Sequence, residues 1–152
     1  MAKKTEAEKN VERQNLKNVY EPNIRAMKSQ RDSLVSEIEH LKMQKIFLDS
    51  NIQTMDSQYL ELKKVVDFAS SKYSNYDDLE GKYMKHVRSE TDSITAHGDT
   101  CLTKMNHAGM VATAAQEKLN KKIETLQSDL TNLIREISDA QIQFQIALNS
   151  II

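Results

Sequence analysis

Tryptophan is absent from the chain, proline occurs once, and glycine occurs three times in 152 residues. That leaves few places where a sheet can reverse, because hairpins and tight loops draw on glycine and proline for their special dihedral angles. Aromatic residues make up only 5% and charged residues 28%, poor material for the large core of a compact globule of this length. Cys101 is the sole cysteine, so no disulfide closes within the chain, which suits a reducing compartment. No stretch approaches eighteen uninterrupted apolar residues, and the opening "MAKKTEAEKNVERQNLKN" lacks the apolar core of a signal peptide. A soluble, cytoplasmic protein is therefore expected, or one secreted without a cleavable signal peptide, with no transmembrane segment. An excess of one charge is missing too. With 21 basic and 22 acidic residues the formal net charge is −1, which gives no electrostatic footprint for a nucleic acid partner.

What the chain does have is periodicity. Stepping alternately three and four residues from Ile24 reaches Met27, Arg31, Leu34, Ile38, Leu41, Lys45, Leu48, Ile52, Met55, Tyr59, Leu62, Val66, Ala69, Tyr73 and Tyr76, and only Arg31 and Lys45 break the apolar or aromatic series. A 3.5-residue period keeps one stripe facing a partner helix along its whole length. The two cations share one heptad site, where a long stem lies along the seam and lifts its charge into water. Pro22 suits a first helical turn, which has no use for the missing N–H. Residues 22–76 are therefore read as a first arm, preceded by a frayed or kinked extension over 1–21.

A second arm is expected over residues 83–152. Its seam runs through Leu119, Ile123, Leu126, Leu130, Leu133, Ile137, Ala140, Phe144, Ala147 and Ile151, all apolar, while Ile134, Ile142, Ile146, Leu148 and Ile152 lie outside it and widen the stripe. A widened stripe suits a bundle of three or more helices. Followed backwards, the register meets Gln116, Ala112, Gly109, Met105, Leu102 and Gly98. Each glycine inside a helix costs about 1 kcal/mol relative to alanine. Residues 91–115 are thus either close-packed against a neighbour or locally soft.

Between the arms, "YSNYDDLEGKY" gathers Asn75, Asp77, Asp78 and Gly81. Gly81 is available for a positive φ and Asp77 or Asp78 for an N-cap, so a turn is expected at 77–81. The fold class is all-α: a single elongated helical domain, built as a long antiparallel hairpin or coiled coil that joins a larger helical bundle. Reversal near residue 79 makes two arms of roughly 105 Å and sets facing residue numbers to sum to about 158. The seam 119–151 then lies opposite 7–39, where the apolar pattern is thin, and the first-arm seam of Leu34, Ile38, Leu41, Leu48, Ile52, Met55, Leu62 and Val66 lies opposite the weak stretch 92–124. Two strong seams without strong partners in their own chain imply outside helices: a heteromeric assembly, or a homo-oligomer. Leu119, Ile123, Leu126, Leu130, Leu133, Ile137, Phe144 and Ile151 are the expected partner-binding residues.

Chemistry is sparse. His97, Asp99, Cys101 and His107 are the one cluster with metal-ligand character, but His107 is rotated off the face that His97 and Cys101 share on a continuous helix. The four are read as surface polar residues. Cys101 has neither an oriented base nor a cleft, and no glycine-rich phosphate loop occurs. No catalytic residue, cofactor or metal is expected.

An equal-armed helical hairpin with a glycine-containing turn resembles the WXG-type small secreted proteins. More closely, it is similar to the longer helical partner proteins that accompany LXG toxins in type VII secretion of Gram-positive bacteria. The resemblance rests on the heptads of 24–76, on "LEG" at 79–81 in the place of a Trp-x-Gly turn, and on the closing "AAQEKLNKKIETLQSDLTNLIREISDAQ". Leu79 stands where the family has tryptophan. Tyr73 with Asp77, and Tyr76 with Glu80, match a Tyr-x-x-x-Asp/Glu export signal, but they precede the turn, whereas the family's signal follows its second helix. The resemblance implies a non-enzymatic partner that binds a toxin's helical targeting domain and helps to present it for export. The alternative is a structural coiled-coil subunit of a cytoskeletal, tethering or secretion-stalk complex.

Overall fold

The computed structural model describes residues 4–74 and 81–151. Two long helices, α1 (Glu6–Ser74) and α2 (Lys82–Asn149), pack against each other as an antiparallel hairpin, with no strand among the described residues. The expected turn falls between them. Tyr76, Asp77, Asp78, Leu79 and Glu80 lie outside the described residues, as does the side chain of Tyr73. The N-cap position of α2 is held by Gly81, at a φ of 158°, whose carbonyl accepts the amide of Lys85 at 3.1 Å.

Helix begins ahead of the first arm expected from residue 22: α1 starts at Glu6 and runs through Pro22. A proline inside a helix removes one hydrogen bond and crowds the preceding turn, at a cost of about 3 kcal/mol. Two features hold the segment helical regardless. At its start Thr5 and Glu8 form a reciprocal capping box. The Thr5 amide donates to Glu8 Oε2 at 2.8 Å, and the Glu8 amide donates to Thr5 Oγ1 at 3.3 Å, which satisfies two amides that have no partner within the helix. The amide and then the hydroxyl of Thr5 hold the Glu8 carboxyl below the usual carboxylate range. Beside the proline, Tyr20 stacks on Phe144 of α2 with ring centroids 5.3 Å apart and planes inclined by 19°, a contact worth about 0.5–1.5 kcal/mol beyond the area it buries.

The hairpin divides into two units. In the first, Met1–Met43 with Lys121–Ile152, the core is the two seams meeting: Ile24, Ile38 and Leu41 of α1 and Ile123 and Ile137 of α2 are buried. Burial stabilises each by roughly 1.5–3 kcal/mol. Even Ile38, the least exposed, keeps 5% of its surface, because two helices cover a seam from one side only. With Ile24 and Leu102 taken as heptad position a, Glu37 and Lys122 both fall at position g, and their 3.0 Å ion pair puts the g positions of both helices on one flank.

In the second unit, Gln44–Asn120, Val66 is the buried seam residue and packs onto Gly98. A Cβ at Gly98 would overlap Cγ2 of Val66, so this glycine permits a close approach of the helices. Gly109 has nothing within 4 Å of the same position. The stretch 91–115 is continuous helix, close-packed at Gly98 and open at Gly109. Thr100, Thr103 and Thr113 turn their hydroxyls back on their own helix, to the carbonyls of Ala96, Asp99 and Gly109 at 2.9–3.0 Å, and so need no outside partner.

Facing residue numbers sum to 164 at Tyr20–Phe144 and at Val66–Gly98, and to 165 at Asp49–Gln116. The register therefore differs by about six residues from the 158 expected of a turn centred on residue 79. Side-chain fit decides it, rather than symmetry of the connection. In the observed register Leu41 stands level with Ile123, and the best part of the second seam lies against 24–45 instead of the thin stretch 7–39.

Candidate interaction surfaces

All eight of the expected partner-binding residues are turned inward. Ile123 and Ile137 are buried, and Leu119, Leu126, Leu130, Leu133, Phe144 and Ile151 are partly covered, all on the side that meets α1. The same holds in α1 for Leu34, Ile38, Leu41, Leu48, Ile52, Met55, Leu62 and Val66, every one of them buried or half-buried while the residues between are almost all exposed. The seams thus find partners within the chain, against the expectation that they face weak stretches.

The two seam cations behave differently. Arg31 bonds its sequence neighbour Asp32 at 2.6 and 2.9 Å. Lys45 donates to Asp49 at 3.0 Å, and the other Asp49 oxygen accepts from the amide of Gln116 on α2 at 2.5 Å. Lys45 and Gln116 both occupy position a, one level with Leu119 and the other with Leu48, and Asp49 joins them into a polar layer across the seam. Gln116 first and Lys45 second hold the Asp49 carboxyl below the usual carboxylate range. In the heptad pattern Lys45 and Gln116 look like faults and Asp49 lies outside the seam, although a Lys–Asp pair four residues apart on a helix is a visible signal.

On one flank of the second unit Met55, Met105 and Met110 line an open groove of about 520 Å³ beside Gly109, with Asp56 and Glu117 among its other walls. Its lining comes from the a, d, e and b positions and one f, and it is too open to enclose a substrate. Among the described residues no three His, Cys, Asp or Glu side chains converge to hold a metal ion. His97 bonds the carbonyl of Ser93 through Nδ1 at 2.6 Å, and Cys101 is free and exposed.

More informative is what stays outside. Large apolar side chains remain exposed on both units, among them Phe47, Val65, Ile94 and Val111 of the second and Ile134, Ile142 and Ile146 of the first. Ile142 and Ile146 stand one turn apart on the face of α2 away from the seam, 53% and 57% exposed. All of these lie off the heptad seam, Ile134, Ile142 and Ile146 as a widening of its stripe. No helix among the described residues is long and apolar enough to cross a membrane, so this apolar surface is not a spanning segment. Compared with known protein families, with curated proteins and with solved structures, the chain matches none.

Proposed function

We propose that the chain is a non-enzymatic helical interaction protein that offers outward apolar faces of an already closed hairpin to another helical protein. The observation that carries this reading is the pair Ile142 and Ile146, more than half exposed beside a satisfied seam. An isolated exposed leucine or isoleucine is ordinary, but neighbouring ones on one helix face mark a contact surface. The leading partner is the helical targeting domain of a secreted toxin in a type VII-like export system, on the strength of the sequence resemblance. In that role the chain acts as chaperone and targeting factor, with Leu119–Ile151 of the second seam supporting the presented face from within.

The test is co-purification with the toxin-like helical protein encoded beside it. Wild type is expected to capture that protein. Ile142→Glu/Ile146→Glu is expected to lose it while retaining full helicity, since both side chains project into solvent. Capture that survives the double substitution would place the contact elsewhere, and failure of wild type to capture any neighbouring gene product would turn the reading toward a structural rod.

A further inference from the structure

We propose that a second copy of this chain covers one flank of the second unit, the flank formed by heptad positions g and c of both helices. It is the side opposite the methionine-lined groove. On it Phe47 and Val65 of α1 and Ile94 and Val111 of α2 are each 57–71% exposed, with Cys101, Ala108 and Ala115 following Ile94 along the g positions of α2 and also exposed.

Area is the first argument. From Phe47 to Val65 on one helix, and across both helices, the strip is about 30 Å long and 20 Å wide. That is about 600 Å², at the lower end of what each partner of a stable complex buries. Two copies meeting here therefore form an interface at the small end of the stable range, with Phe47 toward one end, Val65 and Ile94 toward the other and Ala108 near the middle.

The second argument is self-complementarity. The α1 row carries the bulkier side chains, and between Phe47 and Val65 its one charge is Glu61. The α2 row is notched by Cys101, Ala108 and Ala115, and its fully charged members between Ile94 and Lys118 are bases, Lys104 and Lys118. Within this unit a residue of α1 stands level with the α2 residue whose number brings the sum to about 164, as Val66–Gly98 and Asp49–Gln116 show. A two-fold axis parallel to the helices lays α1 of one copy over α2 of the other without a change of height. Glu61 then meets Lys104, Val65 sits over Cys101, and Phe47 enters beside Ala115 along the stem of Lys118. Every contact occurs twice, as a closed two-fold interface requires. One acidic and one basic row, each facing its opposite in the other copy, is the pattern that fixes orientation in helical assemblies.

Sedimentation equilibrium of the full chain across micromolar concentrations tests this. A monomer–dimer equilibrium is expected, and iodoacetamide should alkylate Cys101 more slowly as the dimer fills. Phe47→Lys/Val111→Lys, both at exposed positions, is expected to abolish the dimer with unchanged circular dichroism. Glu61→Lys and Lys104→Glu should each weaken it about tenfold, since each reverses two symmetric pairs, and mixing the two variants should restore association, because the charges then match across the interface. A chain that stays monomeric, a dimer indifferent to Phe47→Lys/Val111→Lys, or a mixture that fails to associate would overturn the proposal. None of these changes touches Ile142 or Ile146, so capture of a helical partner through that face stands or falls separately.

Discussion

Alanine at the two mid-helix glycines of α2 should have opposite consequences, although both are the same substitution in the same helix. Replacing glycine by alanine in a helix removes backbone freedom from the unfolded chain and gains about 1 kcal/mol. At Gly109 the new methyl meets nothing within 4 Å, so the full gain is expected, a rise of about 2–4 °C in Tm for a chain of this size. At Gly98 the methyl overlaps Cγ2 of Val66, which is itself buried at 7% exposure. Forcing a methyl into such a contact costs about 1–3 kcal/mol, so the net effect lies between no change and a loss of about 2 kcal/mol. Urea denaturation followed at 222 nm measures both. The double variant Val66→Ala/Gly98→Ala closes a thermodynamic cycle, and a favourable coupling of about 1–3 kcal/mol is expected. Equal stabilisation by the two alanines, or no coupling between positions 66 and 98, would refute the close approach on which the register of this unit rests.

Ile137→Ala removes a side chain buried at the centre of the first unit and should cost about 2–5 kcal/mol in chemical denaturation; an effect below 1 kcal/mol would mean the seam is not closed there. Thr5→Ala deletes one half of the capping box and should cost about 1 kcal/mol, seen as faster amide exchange confined to the first turns of α1. Because the carboxyl of Asp49 is held below its usual range by Gln116 and Lys45, its contribution is in place above the ordinary carboxylate pKa and is lost as pH falls through the lowered value. Wild type should therefore lose more stability than Asp49→Asn on acidification below about pH 4, and parallel pH profiles for the two would show that the polar layer does not hold in solution.

Much of this fold was written in the 3.5-residue spacing. The stripe from Ile24 to Ala69 and the stripe from Leu102 to Ile151 coincide with the buried and half-buried positions, because a heptad stripe on a long helix can be covered in only one direction. What spacing does not contain is the relative height of two stripes. A seam repeats every seven residues and scores nearly as well one heptad away, so the symmetric-turn assumption chose a register about six residues off. The information lay in residues that look like faults in the pattern: Lys45, Gln116, Gly98 and, outside the seam, Asp49. Pro22 was misleading for a related reason. A proline marks a helix start by local preference, but the capping box at Thr5 and the Tyr20–Phe144 stack outweigh that preference. The exposed flanks were the least legible, because an apolar residue off the seam reads as noise until the seam is known to be closed.

The contacts at Asp49–Gln116 and Val66–Gly98 have a mechanical meaning. Helices joined by periodic seams can slide past one another like a toothed rack, one heptad per step. A step in either direction takes Gln116 away from Asp49, leaving that carboxylate only Lys45 of its own helix, and drives the methyls of Val66 out of the notch at Gly98 into Met105 or Thr91. Of all the notches that the repeat supplies, these two contacts leave a single one in which the rack can rest.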